Sequence, residues 1–371
     1  MKILPKVLKY IISVLIILAL IILAYVIYVI SQYSRIPDNQ NLEIIHNSNA
    51  IESSLNYDTF YSATTYNIGF GAYTHDFSFF MDSGVMKDGT KVAGKYGRAF
   101  SLEDVNTNTE GAIETIKKLN PTFALFQEVD TNSDRSFHVD QVEKIGNSFN
   151  DMAYNYAVNY HSPYLALPLN NPHGFANAGI MTLSKYSIDK AIRKTYPLSD
   201  VFPQKYLDLD RCFSVTYISV EGSKKLSLIN SHMSAYDKGG LVRAKQLILL
   251  NEYMREEYNK GNYVIVGGDF NHALGKDVID NFESEQEIPE WVNLLTNEDL
   301  DPSMSICAAE NETEVATCRS TDMPYTKGVN YSTVVDGFII SDNIEAYASN
   351  IDNNYIYSDH QPVLLKFKLK K

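Results

Sequence analysis

The sequence predicts an α/β fold in which two packed β-sheets carry helices on their outer faces, behind a single apolar N-terminal span. Three observations carry this expectation. Short β-rich runs alternate with fewer helical stretches, several of those runs end on a polar residue, and the chain opens with a long stretch that holds no charge. At 371 residues, 45% hydrophobic and 12% aromatic, the chain can bury a large core, which excludes disorder as its overall class.

The opening span comes first. From Ile11 to Ile30 the chain reads IISVLIILALIILAYVIYVI, which at about 1.5 Å per residue crosses a hydrocarbon core of ~30 Å. Residues 10–32 are therefore expected to form a transmembrane helix. A cleaved signal peptide is the competing reading, but its apolar region is usually ~7–15 residues long and ends at a small-residue site. Here the run ends in Tyr-Val-Ile-Ser-Gln-Tyr. Lys2, Lys6 and Lys9 precede the span and only Arg35 closely follows it. The positive-inside tendency then makes residues 1–9 cytoplasmic and puts everything beyond the span outside a plasma membrane crossed once. Residues 33–58, rich in Asn and Ser and containing Pro37, read as a linker that holds the domain slightly away from the bilayer. Residues 59–371 show no internal repeat and read as one domain.

The formal net charge is -13. Lys2, Lys6, Lys9 and Arg35 are the only charged side chains before Asp38, so the rest of the chain is more acidic still. A domain of this sign does not bind nucleic acid by bulk electrostatics, which needs a basic face to displace counterions. A phosphate must instead be met by a metal ion or by a local basic cluster. Of the 3 cysteines, Cys212 reads as an inward-facing strand residue. Cys307 and Cys318 flank a polar stretch and could either close a disulfide or stay free.

The clearest strands are 62–67, 123–127, 178–183, 213–220, 226–231, 263–267, 334–340 and 363–367. Apolar spacing near 3.6 predicts helices over 110–119, 139–149 and 241–258. Four of the strands run into Asn67, Glu128, His232 and Asp269. Similarly placed polar ends are expected to gather at one rim, where chemistry would sit.

Each of these ends suggests a role. In Val-Ile-Val-Gly-Gly-Asp-Phe-Asn an apolar strand breaks at Gly267-Gly268 and presents Asp269 and Asn271, two positions apart and so on one side of an extended backbone. An Asx-rich turn would use the same residue types. Glu128 ends a strongly apolar strand, where a buried carboxylate needs a cation or donors. It is a candidate ligand for Mg2+, with Asn67 as a neutral oxygen ligand or a supporting partner; no zinc-type spacing is present. His232 and Asp359-His360 add two imidazoles which, beside Asp269 and Asp336, fit the base, the acid and the charge stabilisation that phosphodiester hydrolysis requires. His46, His75, His138, His161, His173 and His272 lie in loops or polar segments and receive no core role, although His272 could touch substrate.

In order, Asn67, Gln127-Glu128, Asn230-Ser231-His232, Gly268-Asp269-Phe270-Asn271, Asp336 in Val-Asp-Gly-Phe-Ile-Ile-Ser, and Ser358-Asp359-His360-Gln361-Pro362-Val363 resemble the endonuclease/exonuclease/phosphatase superfamily. With the N-terminal span, the chain resembles a membrane-anchored bacterial member. The resemblance runs from about residue 60 to the C-terminus and implies the deoxyribonuclease-I-like four-layer α/β/β/α sandwich, with its site at the rim of the two sheets. By the same resemblance Glu128 is the principal Mg2+ ligand, with Asn67 and Asp359 nearby and with Mn2+ or Ca2+ as alternative ions. Asp269 orients or deprotonates the attacking water, and Asn271 holds that water and the phosphate. His360, oriented by Asp336, stabilises developing charge, while His232 protonates the leaving oxygen or braces the phosphate. Arg211 and Asn177 are further phosphate-contact candidates.

Departures from parts of the superfamily narrow the substrate. No acid stands two residues after Asn67, and the tryptophan-containing motifs of the 5-phosphatases are missing, Trp291 being the 1 tryptophan of the chain. An abasic-site endonuclease and a soluble-inositide phosphatase are both disfavoured, and the long segment 70–108 stays unassigned. Three readings remain: an extracellular nuclease, a sphingomyelinase-like phospholipid phosphodiesterase, or a non-catalytic surface module that keeps the fold for binding. The partners expected are a nucleic acid or a phospholipid head group as substrate and the membrane through the N-terminal helix, with no protein partner.

Overall fold

The computed structural model describes residues 3–32, 34–198, 210–235 and 240–371. Residues 1 and 2 of the expected cytoplasmic terminus, and residue 33 at the start of the expected linker, lie outside that set. Helix α1 (Ile3–Ser31) holds a candidate span over Lys6–Ser31 with a mean hydropathy of 3.1, and its most apolar 18-residue window is unburied. By length and composition it can cross a membrane, a property that signal sequences share.

Two sheets form the body. The first comprises β1 (Tyr61–Asn67), β2 (Phe123–Asp130), β3 (Ala153–Leu165), β4 (Gly174–Ser184), β11 (Ile344–Asn350) and β12 (Val363–Leu369), in the order β11-β12-β1-β2-β4-β3. The second comprises β5 (Ile188–Thr195), β6 (Cys212–Val220), β7 (Lys224–His232), β8 (Tyr263–Asp269), β9 (Met304–Cys307) and β10 (Asp336–Ser341). Its order is β5-β6-β7-β8-β10-β9, and Gln40–Asn41 pairs on the outer edge of β5.

Each sheet contains one parallel pair, β1 with β2 and β7 with β8. A parallel pair needs a crossover connection, which here is α2 (Leu102–Leu119) in the first case and α4 (Leu241–Asn259) in the second. Alternation along the strands sorts the layers. Phe123, Leu125, Leu228, Ile265 and Phe338 meet in the core between the sheets. Ala124 and Phe126 instead face outward with Ile113 and Ile116 of α2 and Ile145 of α3 (Gln141–Ser148), and Val264 and Val266 pack with Leu250 and Met254 of α4. The result is the four-layer α/β/β/α sandwich expected.

Several elements differ from the sequence reading. Strands β3, β5, β9 and β11 were not expected, because their polar residues break the alternating pattern; in β3, Asn155 is fully buried and donates to Thr216 Oγ1 (2.9 Å). Helix α2 begins at Leu102 rather than Glu110. Its first turns carry Asn108 and Thr109, buried polar residues that donate to the Gly71 and Val105 carbonyls. The segment read as a linker packs along the domain. Ser34 Oγ lies 2.9 Å from His161 Nε2, Arg35 pairs with Asp210 at 3.2 Å, and Leu55 is fully buried in the inter-sheet core. All three cysteines are free, with Cys212 and Cys318 buried, so Cys307 and Cys318 close no disulfide.

Candidate active site

Parallel pairing brings the C-terminal ends of β1 and β2 to the same rim as those of β7 and β8. In the second sheet the register runs without interruption from Leu226 opposite Tyr263 to His232 opposite Asp269. Antiparallel β10 continues it, setting Asp336 beside Asp269. Gly268 permits this, since a Cβ there would strike the main chain of Ser231. His360 arrives on the loop before β12, where its main-chain N–H and the Asn67 carbonyl both bond to the Ser358 hydroxyl (3.2 and 2.8 Å).

The side chains form a connected line. His360 Nδ1 is 2.8 Å from Asp336 Oδ2, and the Asp336 main-chain N–H donates to Thr317 Oγ1 (3.0 Å). His360 Nε2 lies 3.7 Å from Asp269 Oδ2 and 3.4 Å from Asn67 Nδ2. Asn67 donates to Asp269 Oδ2 (3.0 Å), and the Asn271 N–H donates to Asp269 Oδ1 (2.9 Å). His232 Nε2 is 3.5 Å from Asp269 Oδ2 and 3.8 Å from Glu128 Oε1. The structure thus brings together Asn67, Glu128, His232, Asp269, Asn271, Asp336 and His360. Asn271 adopts a left-handed backbone (φ 50°), and its side-chain amide donates to the Met233 carbonyl (3.0 Å).

Glu128 sits at a bulge, where the register between β2 and β4 shifts after Phe126. Its φ of 54° is unusual for a residue with a side chain. The extra residue turns its carboxylate out of the sheet core, leaving the side chain 24% exposed. Just before it, Gln127 stays buried and donates to Asn230 Oδ1 (2.8 Å), while Asn230 donates to the Phe126 and Met181 carbonyls. This amide bridge ties the two sheets together beneath the site, and residue identity alone gave no sign that the two amides meet.

Two further candidates take supporting places. Arg211 is buried at the start of the second sheet's β6, and its charge lowers the pKa of both Glu128 and His232. Asn177 donates to Thr131 Oγ1 (2.7 Å), on the loop that follows Glu128, rather than to the line of rim residues. His272 is buried with Nδ1 2.8 Å from the Phe270 carbonyl. Sequence reasoning missed Arg135, which grips Asp130 through two bonds (3.0 and 2.7 Å) and lies 3.9 Å over the Phe70 ring. A lone arginine after a polar turn carries no signal for this.

The electrostatics divide the site. Burial pushes the carboxyl of Glu128 up, opposed by Arg135 and reinforced by Asp359, and burial likewise raises Asp359. Burial also opposes charge on His360, yet Asp336, with Cys318, Asp269 and Asp359, outweighs it and holds this imidazole well above its ordinary pKa. His232 is driven the other way, to well below the ordinary imidazole pKa, by burial first and then by Arg211. Among the described residues, buried Asp336 Oδ1 and His232 Nδ1 have no hydrogen-bond partner.

Two groups could hold a cation. Asp269, Asp336 and His360 offer ligand atoms within 4.8 Å of one another, but the close Asp336–His360 bond already occupies one ligand from each. Glu128, Asn67 and Asp359 offer only oxygen ligands; Asp359 adds to the cost of ionising Glu128, and Asn67 Oδ1 also accepts from the Gly69 N–H (3.0 Å). That donor set fits a hard divalent ion.

Comparison with known proteins gives the family and the fold. Residues 64–360 match the model of the endonuclease/exonuclease/phosphatase family, whose members are typically dependent on divalent metals. Among solved structures, the chain is similar to truncated TDP2 of Caenorhabditis elegans (TM-score 0.50, 16% identity, covering 84% of this chain and 99% of that one). It is also similar to an endonuclease/exonuclease/phosphatase from Beutenbergia cavernae (0.54, 14%, 84% and 72%). A third is ANGEL2, a 2′,3′-cyclic phosphatase solved with adenosine-2′,3′-vanadate (0.51, 14%, 91% and 100%). At such identities the likeness shows the fold. A search of curated proteins gave no match.

Proposed function

The chain belongs to the endonuclease/exonuclease/phosphatase family, hydrolases of phosphoesters, and we propose that it cleaves phosphodiester bonds with Mg2+ in a domain held outside the plasma membrane by α1. The observation that carries this reading is the line Asp336, His360, Asp269, His232, joined by contacts of 2.8, 3.7 and 3.5 Å. Its members meet Glu128 at one rim.

Glu128, Asn67 and Asp359 would hold the ion, which when bound supplies positive charge to the phosphate and to the departing oxygen. Asp269 accepts the proton of the attacking water. Its carboxylate is already oriented by Asn67 and the Asn271 N–H, so little reorganisation is left for the reaction. His360, kept protonated by Asp336, donates to a phosphate oxygen as charge grows there. Neutral His232 braces a second oxygen through one N–H, which suits it better than carrying a proton to the leaving group. Arg211 adds charge from behind. A non-catalytic module has no support in this site, since none of Glu128, His232, Asp269, Asn271 or His360 is missing.

Hydrolysis of bis(p-nitrophenyl) phosphate by the purified full chain tests the proposal. Activity should require Mg2+ and disappear with EDTA. Activity that survives Asp269→Ala and His360→Ala would overturn the site assignment. Plasmid DNA, RNA and sphingomyelin vesicles in parallel assays would separate the nuclease reading from the phospholipid one.

A further inference from the structure

The hairpin between β3 and β4 runs past the active-site rim. Asp130, near the end of β2, pairs with Ala178, whereas β4 continues back to Gly174, opposite Leu165 of β3. Residues 163–173 therefore project beyond the rim on the Glu128 side. From residue 152 to residue 184 there is no Asp, Glu, Lys or Arg. The tip carries Pro163, Pro168 and Pro172, and shows Tyr164, Leu167 and Leu169 to solvent at 44%, 60% and 83% exposure.

This tip is bonded to the membrane-spanning helix itself. Tyr25 donates its hydroxyl to the Tyr164 carbonyl (3.0 Å) and accepts from the Ala166 N–H (3.1 Å), and the Tyr28 hydroxyl accepts from the Tyr164 N–H (3.1 Å). Tyr25 is six positions before Ser31, the end of the span, so its Cα lies about 9 Å inside that end at 1.5 Å per residue. Main chain at such a depth must have its polar groups satisfied without water, and the two tyrosines do this for three of them. Interfacial tyrosines and prolines lacking N–H groups suit the same place. No slack separates helix from domain, because Ser34 and Arg35 are already bonded to His161 and Asp210.

We infer that the β3–β4 tip is a second bilayer contact, in which Leu167 and Leu169 enter the outer leaflet beside α1 and hold the active-site rim against the lipid surface. The inference rests on the reading of α1 as a membrane span. The substrate class it favours is a phosphodiester displayed at that surface, a phospholipid head group above all.

Leu169→Trp in the full chain, reconstituted into phosphatidylcholine vesicles with brominated acyl chains, reads the contact directly, with Trp291 of the parent chain as background. The expected result is a blue-shifted emission, mostly quenched by the brominated lipid. Ile248→Trp, on α4 (58% exposed), should stay red-shifted and unquenched. Emission from the Leu169→Trp tryptophan that matches the Ile248→Trp control, or a chain cleaved after α1 and lost from the vesicles, would overturn the inference. In the same vesicles, Leu167→Asp with Leu169→Asp should lower turnover of bilayer-embedded phosphodiester by about tenfold while soluble bis(p-nitrophenyl) phosphate is cleaved as before. Equal turnover of both would also overturn it. Quenching needs no catalysis, so inactivity on every phosphodiester would count against the enzymatic reading alone.

Discussion

The two strand–helix–strand units, β1–α2–β2 and β7–α4–β8, solve one topological problem with different means. Both are parallel pairs crossed by an outer helix, and both end in polar residues at the shared rim. The second unit is regular: His232 and Asp269 sit directly opposite each other, with side chains 3% and 2% exposed. The first is interrupted by the bulge that gives Glu128 its left-handed backbone and partial exposure. Between β1 and α2 it also carries residues 68–101, whose Phe70, Tyr73, Phe77 and Phe79 form an aromatic cluster of their own. We read the difference as a division of labour: rigid, buried strand ends suit the proposed proton chemistry, whereas a distorted end that retains access to solvent suits the proposed metal ligand.

Changes in the regular unit should break the comparison most severely. Asp269→Ala is expected to lower kcat on bis(p-nitrophenyl) phosphate by about 10³-fold, within the range for a lost general base, with far-UV circular dichroism unchanged. A loss of less than tenfold would remove Asp269 from the reaction. Next comes the bridge that joins the units. Asn230→Ala leaves Gln127 Nε2 with only its bond to Thr65 Oγ1 and removes the side-chain donor to the Phe126 and Met181 carbonyls, and should destabilise the fold by about 2–3 kcal/mol, read from the urea midpoint. Stability within 0.5 kcal/mol of the parent would mean that the sheets are held by the apolar core alone.

A smaller effect belongs to the β3–β4 hairpin where it packs on the insert of the first unit. His173 is buried against Phe79 and Phe80, with Nδ1 2.7 Å from the Gly97 carbonyl. Burial, aided by Arg135, lowers its pKa to about 3. The unfolded chain takes up the proton near pH 6.5 while the folded one refuses it. Stability from this group is thus fully present above 6.5 and declines as pH falls toward 3. Between pH 7 and 5.5 the loss should be about 1 kcal/mol, and His173→Gln should abolish that share of the slope in denaturation measured at the two pH values. An unchanged slope would mean His173 is charged in place.

How much of this was legible in the sequence depended on how apolar each element is. Val264-Ile265-Val266 and Leu125-Phe126 announce strands, and the polar residues after them mark the rim. Strand β3 hid itself because Asn155 and Asn159 are buried polar residues on a strand, and the start of α2 hid behind Asn108 and Thr109. Most of the residues that gather in a line at the rim were readable, since they end or begin recognisable strands. What holds them was not. Thr317 under Asp336 and the Gln127–Asn230 bridge depend on pairings between separate segments of the chain, and Arg135 reaches Asp130, five positions before it, through the turn at Asp134–Ser136; single residue types reveal none of these. The segment 34–58 misled for the opposite reason: its Asn and Ser content suggests a free spacer, yet Leu55 anchors it in the core.

The division of labour between the units is tested most directly by titrating Mg2+ into Glu128→Gln and Asp269→Asn while following bis(p-nitrophenyl) phosphate hydrolysis. The Glu128 variant should need at least the 10–100-fold more metal that losing even a supporting ligand contact entails, and should recover much of its rate at saturation. The Asp269 variant should saturate near the parent's Mg2+ concentration with kcat still depressed. Identical metal curves for the two variants would contradict the assignment of metal binding to one unit and proton transfer to the other.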